Sequence, residues 1–163
     1  MSFDYTTLIT DRTAEDVSRV VYLARQLSAG TATAAEQAEW DQDLKGAYNA
    51  SDLNRVDAAL EDLAAQLRAV GYALPGFAAV RTGLWAAEDI PTASQMAQYL
   101  TNVTAVRDAI TALDSTPPVP ESMARLTYTG ANSIEQILLD VEDVLGRLRL
   151  SWFYSAEISA GEV

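Results

Sequence analysis

A side chain does chemistry when it can move a proton, hold a metal or attack an electrophile. The 163 residues include no His and no Cys. The usual general base, the commonest metal ligand and the thiolate nucleophile are therefore missing. Carboxylates remain: Asp41 with Asp43, Glu61 with Asp62, and Asp140 with Glu142 and Asp143. Such sets could hold a hard cation such as Ca²⁺, or pair as acid and base. None has the Gly and ligand spacing of an EF-hand loop, and all fall on helical patterns off the apolar seam. A solvated helix face is the better reading. No Ser has a His to activate it, and no Gly-rich loop opens a helix as a phosphate cradle would. The residues thus point to no catalytic group, no metal and no cofactor.

Aromatic rings are the other resource. Tyr72, Phe77 and Trp85 lie in a stretch without periodicity, where a ring could grip a sugar or a partner, or plug the core beneath a loop. Trp40 and Trp152 stand at helical positions and read as core or subunit interface. The candidate interaction residues are Phe77, Trp85, Trp152 and Tyr154. Arg19 and Arg55 occupy matching places in two short segments of like pattern, Asp16-Val17-Ser18-Arg19-Val20 and Asp52-Leu53-Asn54-Arg55-Val56. Five residues are too few for a duplication, so a repeated helix-start chemistry is expected. Buried ion pairs to neighbouring helices are open to both arginines; exposed pairs worth about 0–1 kcal/mol are the default.

Composition narrows the setting. With 49% hydrophobic and 21% charged residues the chain is that of a folded protein, long enough for one domain with a sizeable core. A net charge of −12, with no basic stripe, argues against nucleic acid and against anionic membrane surfaces. No apolar run approaches the ~18 residues of a membrane span. The opening Met1-Ser2-Phe3-Asp4-Tyr5 lacks the basic and apolar regions of a secretion signal.

Helices must position whatever these residues do. The most regular stretch runs from Ser51 and Asp52 to Val70, with Leu53, Val56, Leu60, Leu63, Leu67 and Val70 at alternating steps of three and four. Ser51 can cap it and Gly71 can end it. A second seam follows Thr92 and Gln95: Met96, Tyr99, Val103, Val106, Ile110 and Leu113. A third is Ile134, Leu138, Val141, Leu145, Leu148 and Trp152, with Asn132 as its cap and Glu135 three residues on. Shorter helices are expected over 13–28, opened by Thr13 and Asp16, and over 34–45, opened by Thr33 and Glu36 and ended by Gly46. Residues 1–10 read as an extended arm or short strand. Leu126 to Gly130 read as extended and turning, and the chain beyond Tyr154 as leaving the helix to end extended. Pro117, Pro118 and Pro120 make 115–121 a stiff linker and a possible sub-boundary. The fold class predicted is all-α: a bundle of three long helices and one or two shorter ones, with extended terminal arms. The stretch from 72 to 90 is too long for an up-and-down turn and must cross the bundle or act on its own.

Several segments, in one order along the chain, resemble a family of short proteins encoded in the tail and baseplate modules of phages and prophages of Gram-positive bacteria. They are Thr10-Asp11-Arg12-Thr13 with Asp16-Val17; Lys45-Gly46-Ala47-Tyr48-Asn49 leading to Asp52-Leu53-Asn54-Arg55-Val56; Asp89-Ile90-Pro91-Thr92 followed by Tyr99-Leu100; Leu126-Thr127-Tyr128 with Ala131-Asn132; and Trp152-Phe153-Tyr154-Ser155 with Gly161-Glu162. The family pattern has Gly where this chain has Ala156. The resemblance implies a structural role in a tail or virion and carries over no catalytic residue. The expected partners are copies of the same chain or other tail proteins. The expected location is the virion, or the host cytoplasm before assembly. The alternative is a carbohydrate- or host-surface-binding module using the 72–90 loop and Trp85.

Overall fold

A computed structural model describes residues 2–160, with side chains to residue 152. Five α-helices follow in order: α1 (Ala14–Ala29), α2 (Ala34–Trp40), α3 (Ala50–Ala69), α4 (Ala93–Asp108) and α5 (Tyr128–Ala160). Short 3-10 turns lie at Tyr5–Thr7 and Met123–Arg125, and no strand occurs among the described residues. The protein is all-α, as its periodicity predicts.

Local side chains account for most helix starts. Thr13, Thr33 and Thr92 each accept a hydrogen bond from the backbone three residues on. Asp16, Glu36 and Gln95 return one to the cap, so each start is a closed capping box. Gly30 and Gly71 take positive φ, 69° and 93°, just past α1 and α3, a conformation that a Cβ would strain.

Five expectations need correction. α4 stops at Asp108, so Ile110 and Leu113 of its expected seam lie past the helix. α2 stops at Trp40 rather than 45, because the chain must bring Gly46 against α1: a Cβ there would sit 2.1 Å from the Asp16 carbonyl oxygen. α3 begins two residues earlier than a Ser51 cap would set it, since the Asp52 carboxylate takes the Asn49 N–H at 2.8 Å. α5 starts at Tyr128, not at Asn132. The Thr127 hydroxyl takes the Gly130 N–H at 3.1 Å, which frees the Asn132 amide for another task. Finally, the C-terminal segment is helical through Ala160 instead of extended; no Gly or Pro between 147 and 160 interrupts it.

The three long seams mesh. Leu53, Val56, Leu60, Leu63 and Leu67 of α3 join Tyr99, Val103 and Val106 of α4 and Ile134, Leu138, Val141 and Leu145 of α5 in one apolar core. α1 and α2 pack on each other as a hairpin beside it. Arg55, near the start of α3, reaches Glu135, near the start of α5, while Gln66 late in α3 accepts from Arg149 far along α5. These two helices therefore run parallel. The Tyr99 hydroxyl in the second turn of α4 meets that of Tyr48, just before α3, at 2.7 Å, so α4 starts at the same end. Chain that leaves the far end of a 20-residue helix must return about 30 Å before the next one starts. That is why the segments 70–92 and 109–127 are long.

Irregular return segments leave backbone groups that need partners. Each long helix supplies one Asn whose side-chain amide pairs with both the N–H and the C=O of a single residue in a return segment or in the N-terminal arm. Asn54 of α3 takes Trp85 (2.7 and 2.9 Å), Asn102 of α4 takes Ala78 (3.1 and 2.7 Å), and Asn132 of α5 takes Arg12 (3.0 and 2.9 Å). The linker over 115–121 is tied down similarly: Arg107 Nε donates to the Pro117 carbonyl at 3.0 Å, and the Thr116 hydroxyl to Asp140 at 2.7 Å. The N-terminal arm lies on its own chain, with Phe3, Tyr5 and Leu8 against the core and the Tyr5 hydroxyl donating to Asp62 at 2.7 Å.

Candidate functional site

Ionised groups inside a fold are the first place to look for chemistry. Arg12 of the N-terminal arm, Asp52 and Arg55 of α3, and Glu135 of α5 meet where these three pieces converge. Arg12, Asp52 and Glu135 are at most 4% exposed. Arg12 Nη2 lies 2.8 Å from Asp52 Oδ1 and 2.7 Å from Glu135 Oε1. Arg55 forms a fork on Glu135, Nε to Oε2 at 3.0 Å and Nη2 to Oε1 at 2.8 Å, and its Nη2 also meets Asp52. The Ile9 N–H donates to Glu135 Oε2 at 2.6 Å, and the Ile9 carbonyl accepts from Arg12 Nη1 at 2.7 Å.

Two guanidiniums thus face two carboxylates, and the junction is neutral. Each Glu135 oxygen takes two donors, and Asp52 takes both arginines on one oxygen and the Asn49 N–H on the other. Both Glu135 oxygens are thus doubly donated and only Asp52 Oδ2 keeps a lone pair, while always-charged arginines have no proton to lend. Arg12 Nε is the single buried side-chain atom without a partner among the described residues. The Tyr48 ring lies 5.6 Å from that guanidinium and supplies its π face. The arrangement binds the arm to two helices.

Three of the carboxylates in the acidic groups have partners within the fold. Asp62 accepts from Tyr5, Asp140 from Thr116 and Gln136, and Asp143 pairs with Arg147 at 2.6 Å. No cluster of metal-ligating side chains occurs among the described residues. Burial pushes the Asp57 carboxyl up to about 6, against an ordinary value of 3.8. It accepts from Trp85 Nε1 at 3.2 Å.

The aromatic candidates are scattered. Trp85 is 5% exposed: α3 holds its backbone and indole N–H, and the Arg81 guanidinium covers its ring at 4.5 Å. Phe77 is half-buried against the core, with Arg68 stacked 5.1 Å from its ring centre. Both rings therefore serve the first return segment. Trp152 lies elsewhere, on the last turn of α5 whose side chains are described, and is 52% exposed; Leu150, on a different side of the helix, is 58% exposed. The Tyr154 side chain lies outside the described residues.

Sequence reasoning passed over Arg12, which sits in a segment without periodicity, and read Glu135 only as a capping partner. Asn102 did leave a signal: it stands three residues after Tyr99 and one before Val103, a polar residue on the buried stripe. Sequence also gave no hint of an open groove of about 650 Å³ along α4, floored by Leu100 and Ala105, walled by Val119 and Pro120, with Asp108 and Glu121 on its lining.

No helix among the described residues is long and apolar enough to cross a membrane. Compared with protein-family models, curated proteins and solved structures, the chain matches none of them.

Proposed function

We propose that this chain is a non-catalytic structural protein that works by assembly, within the tail or virion of a phage or prophage of Gram-positive bacteria. The observation that carries the assembly reading is the end of α5. α3 is 20 residues long and α5 is 33, so α5 has length beyond what the core can cover, and there it presents Leu150 and Trp152 to solvent. Large apolar side chains left exposed on two sides of a helix end favour partner surfaces. The buried charges, by contrast, are fully engaged in holding the fold.

The tail setting is supported by the family resemblance. Arg12, Tyr48, Asn49, Asp52, Arg55, Tyr99 and Asn132 all fall in the resembling segments, and all belong to the junction or border it. A shared junction is what a shared fold would require. The test is quantitative mass spectrometry of purified tail particles from a strain that produces the phage. The chain is expected at a fixed ratio to the other tail proteins. Intact particles without it would overturn the tail reading.

A further inference from the structure

We propose that the first return segment is a strap whose hold on α3 follows pH, closed in acid and readier to open near neutrality, with Asp57 as the group that decides. Its fastenings are polar. Asn54 holds Trp85 and Asn102 holds Ala78, each through one side-chain amide, and Gln98 Nε2 donates to the Gly76 carbonyl at 2.8 Å. Gly76 and Gly83 take positive φ, 77° and 80°, so the strap bends at two residues without a Cβ. Between the strap and the helices lies a cavity of about 230 Å³. Asp57 and Glu61 of α3, Asn102 of α4, and Phe77, Arg81 and Leu84 of the strap are on its lining. A segment seated over a cavity gives up less apolar contact on lifting than one packed along its whole length.

The charge beneath the strap is uncompensated. Half-buried Asp57 has one hydrogen-bond donor, the Trp85 indole N–H at 3.2 Å, and that donor belongs to the strap. Glu61 stands one turn further along α3, a like charge at an unfavourable spacing. No ion pair among the described residues includes Asp57 or Glu61. Arg81, the cation on the cavity lining, is held by Asp89 at 2.5 Å and lies over the face of the Trp85 ring. From α4, the Tyr99 hydroxyl is bonded to that of Tyr48. Ionised Asp57 is therefore a charge that the closed strap keeps from water and that opening hydrates. Protonated Asp57 carries no such cost, and its carbonyl oxygen still accepts from the indole.

Burial raises this carboxyl to about 6, against the indole bond and together with Glu61. The closed strap thus holds the proton more tightly than the open one. Closure is favoured in full below about pH 4 and loses ground as pH rises through about 6. The chain has no His, so no other side chain with an ordinary value titrates near neutrality. Opening frees the two rings that the strap carries inward, Phe77 and Trp85.

Hydrogen exchange of backbone amides in the full chain, read as protection factors at about pH 5 and about pH 7.5, is the experiment. The Trp85 and Ala78 N–H groups, held by Asn54 and Asn102, report on the strap, and that of fully buried Val103 on the core. Both strap amides are expected to be at least about tenfold less protected than Val103. Their opening constant is expected to rise roughly three- to tenfold from the lower pH to the higher. Asp57→Asn keeps an acceptor for the indole and is expected to remove that rise. Strap amides as well protected as Val103 would overturn the proposal, since the segment would then open only with the whole fold. Equal protection of the wild-type strap at the two pH values overturns it too, as does a rise that Asp57→Asn retains.

Discussion

The starts of α1 and α3 carry the same short pattern and the same local chemistry. Asp16 and Asp52 each accept the cap residue's N–H at 2.8 Å, and an Arg follows three residues later. From there they part. Arg19 crosses to Glu39 on the surface of the hairpin, with side chains 46% and 37% exposed. Arg55 crosses to Glu135 under cover, with side chains 15% and 0% exposed, and shares Asp52 and Glu135 with Arg12. Sequence near the helix start sets the cap, but the depth of the partner sets what the ion pair is worth. Water screens the first pair. At the second, the cost of removing charge from water is already incurred, so loss of one partner leaves a stranded charge.

The largest effect should come from Glu135→Ala. It leaves Arg12 and Arg55 facing one carboxylate and the Ile9 N–H unpaired, and is expected to cost about 3–5 kcal/mol in urea denaturation. A loss under about 1 kcal/mol would mean that the junction is not buried as described. Next is Asn54→Ala, which strands the N–H and C=O of the buried Trp85. About 1–3 kcal/mol should be lost, with a red shift in tryptophan emission as the indole is exposed.

Asp57→Asn should act in the opposite direction. The folded carboxyl titrates near 6, above its ordinary 3.8. The folded state therefore holds this proton more tightly, and its contribution to stability is whole below about pH 4 and lost as pH rises through about 6. Asn removes the buried charge and can still accept from the indole. A gain of about 1–2 kcal/mol at neutral pH is expected, discounted for the partial exposure of the group, and it should vanish in acid. A thermal melt at both pH values reads it, and equal melting of the two proteins at neutral pH would count against the buried charge. Smallest is Arg19→Ala, expected within about 1 kcal/mol of the wild type in the same denaturation assay.

The same division separates what could be read in advance from what could not. The caps at Thr13, Thr33 and Thr92 were legible because a Ser/Thr–acid or Thr–Gln spacing of three is local. The seams of α3, α4 and α5 were legible because periodicity is local. Asn132 misleads for that same reason: Asn followed three residues later by Glu135 imitates a cap, yet both side chains reach the N-terminal arm, 120 and 126 residues away. Arg12 left no pattern at all, since its meaning depends on two helices that fold against it. The aromatic residues of the first return segment were ambiguous in sequence, because a ring that plugs a core and one that grips a ligand have the same composition around them. The helical end of α5 was missed because its seam fades after Trp152, although nothing in the sequence stops the helix there.

A pair of double-mutant cycles tests the account most directly, one on Arg55 and Glu135 and one on Arg19 and Glu39, each residue changed to Ala singly and together. If the interior charges are engaged in holding the arm and two helices as one body, the first coupling should be about 2–3 kcal/mol and the second under about 1 kcal/mol. Equal couplings at the two sites would contradict it.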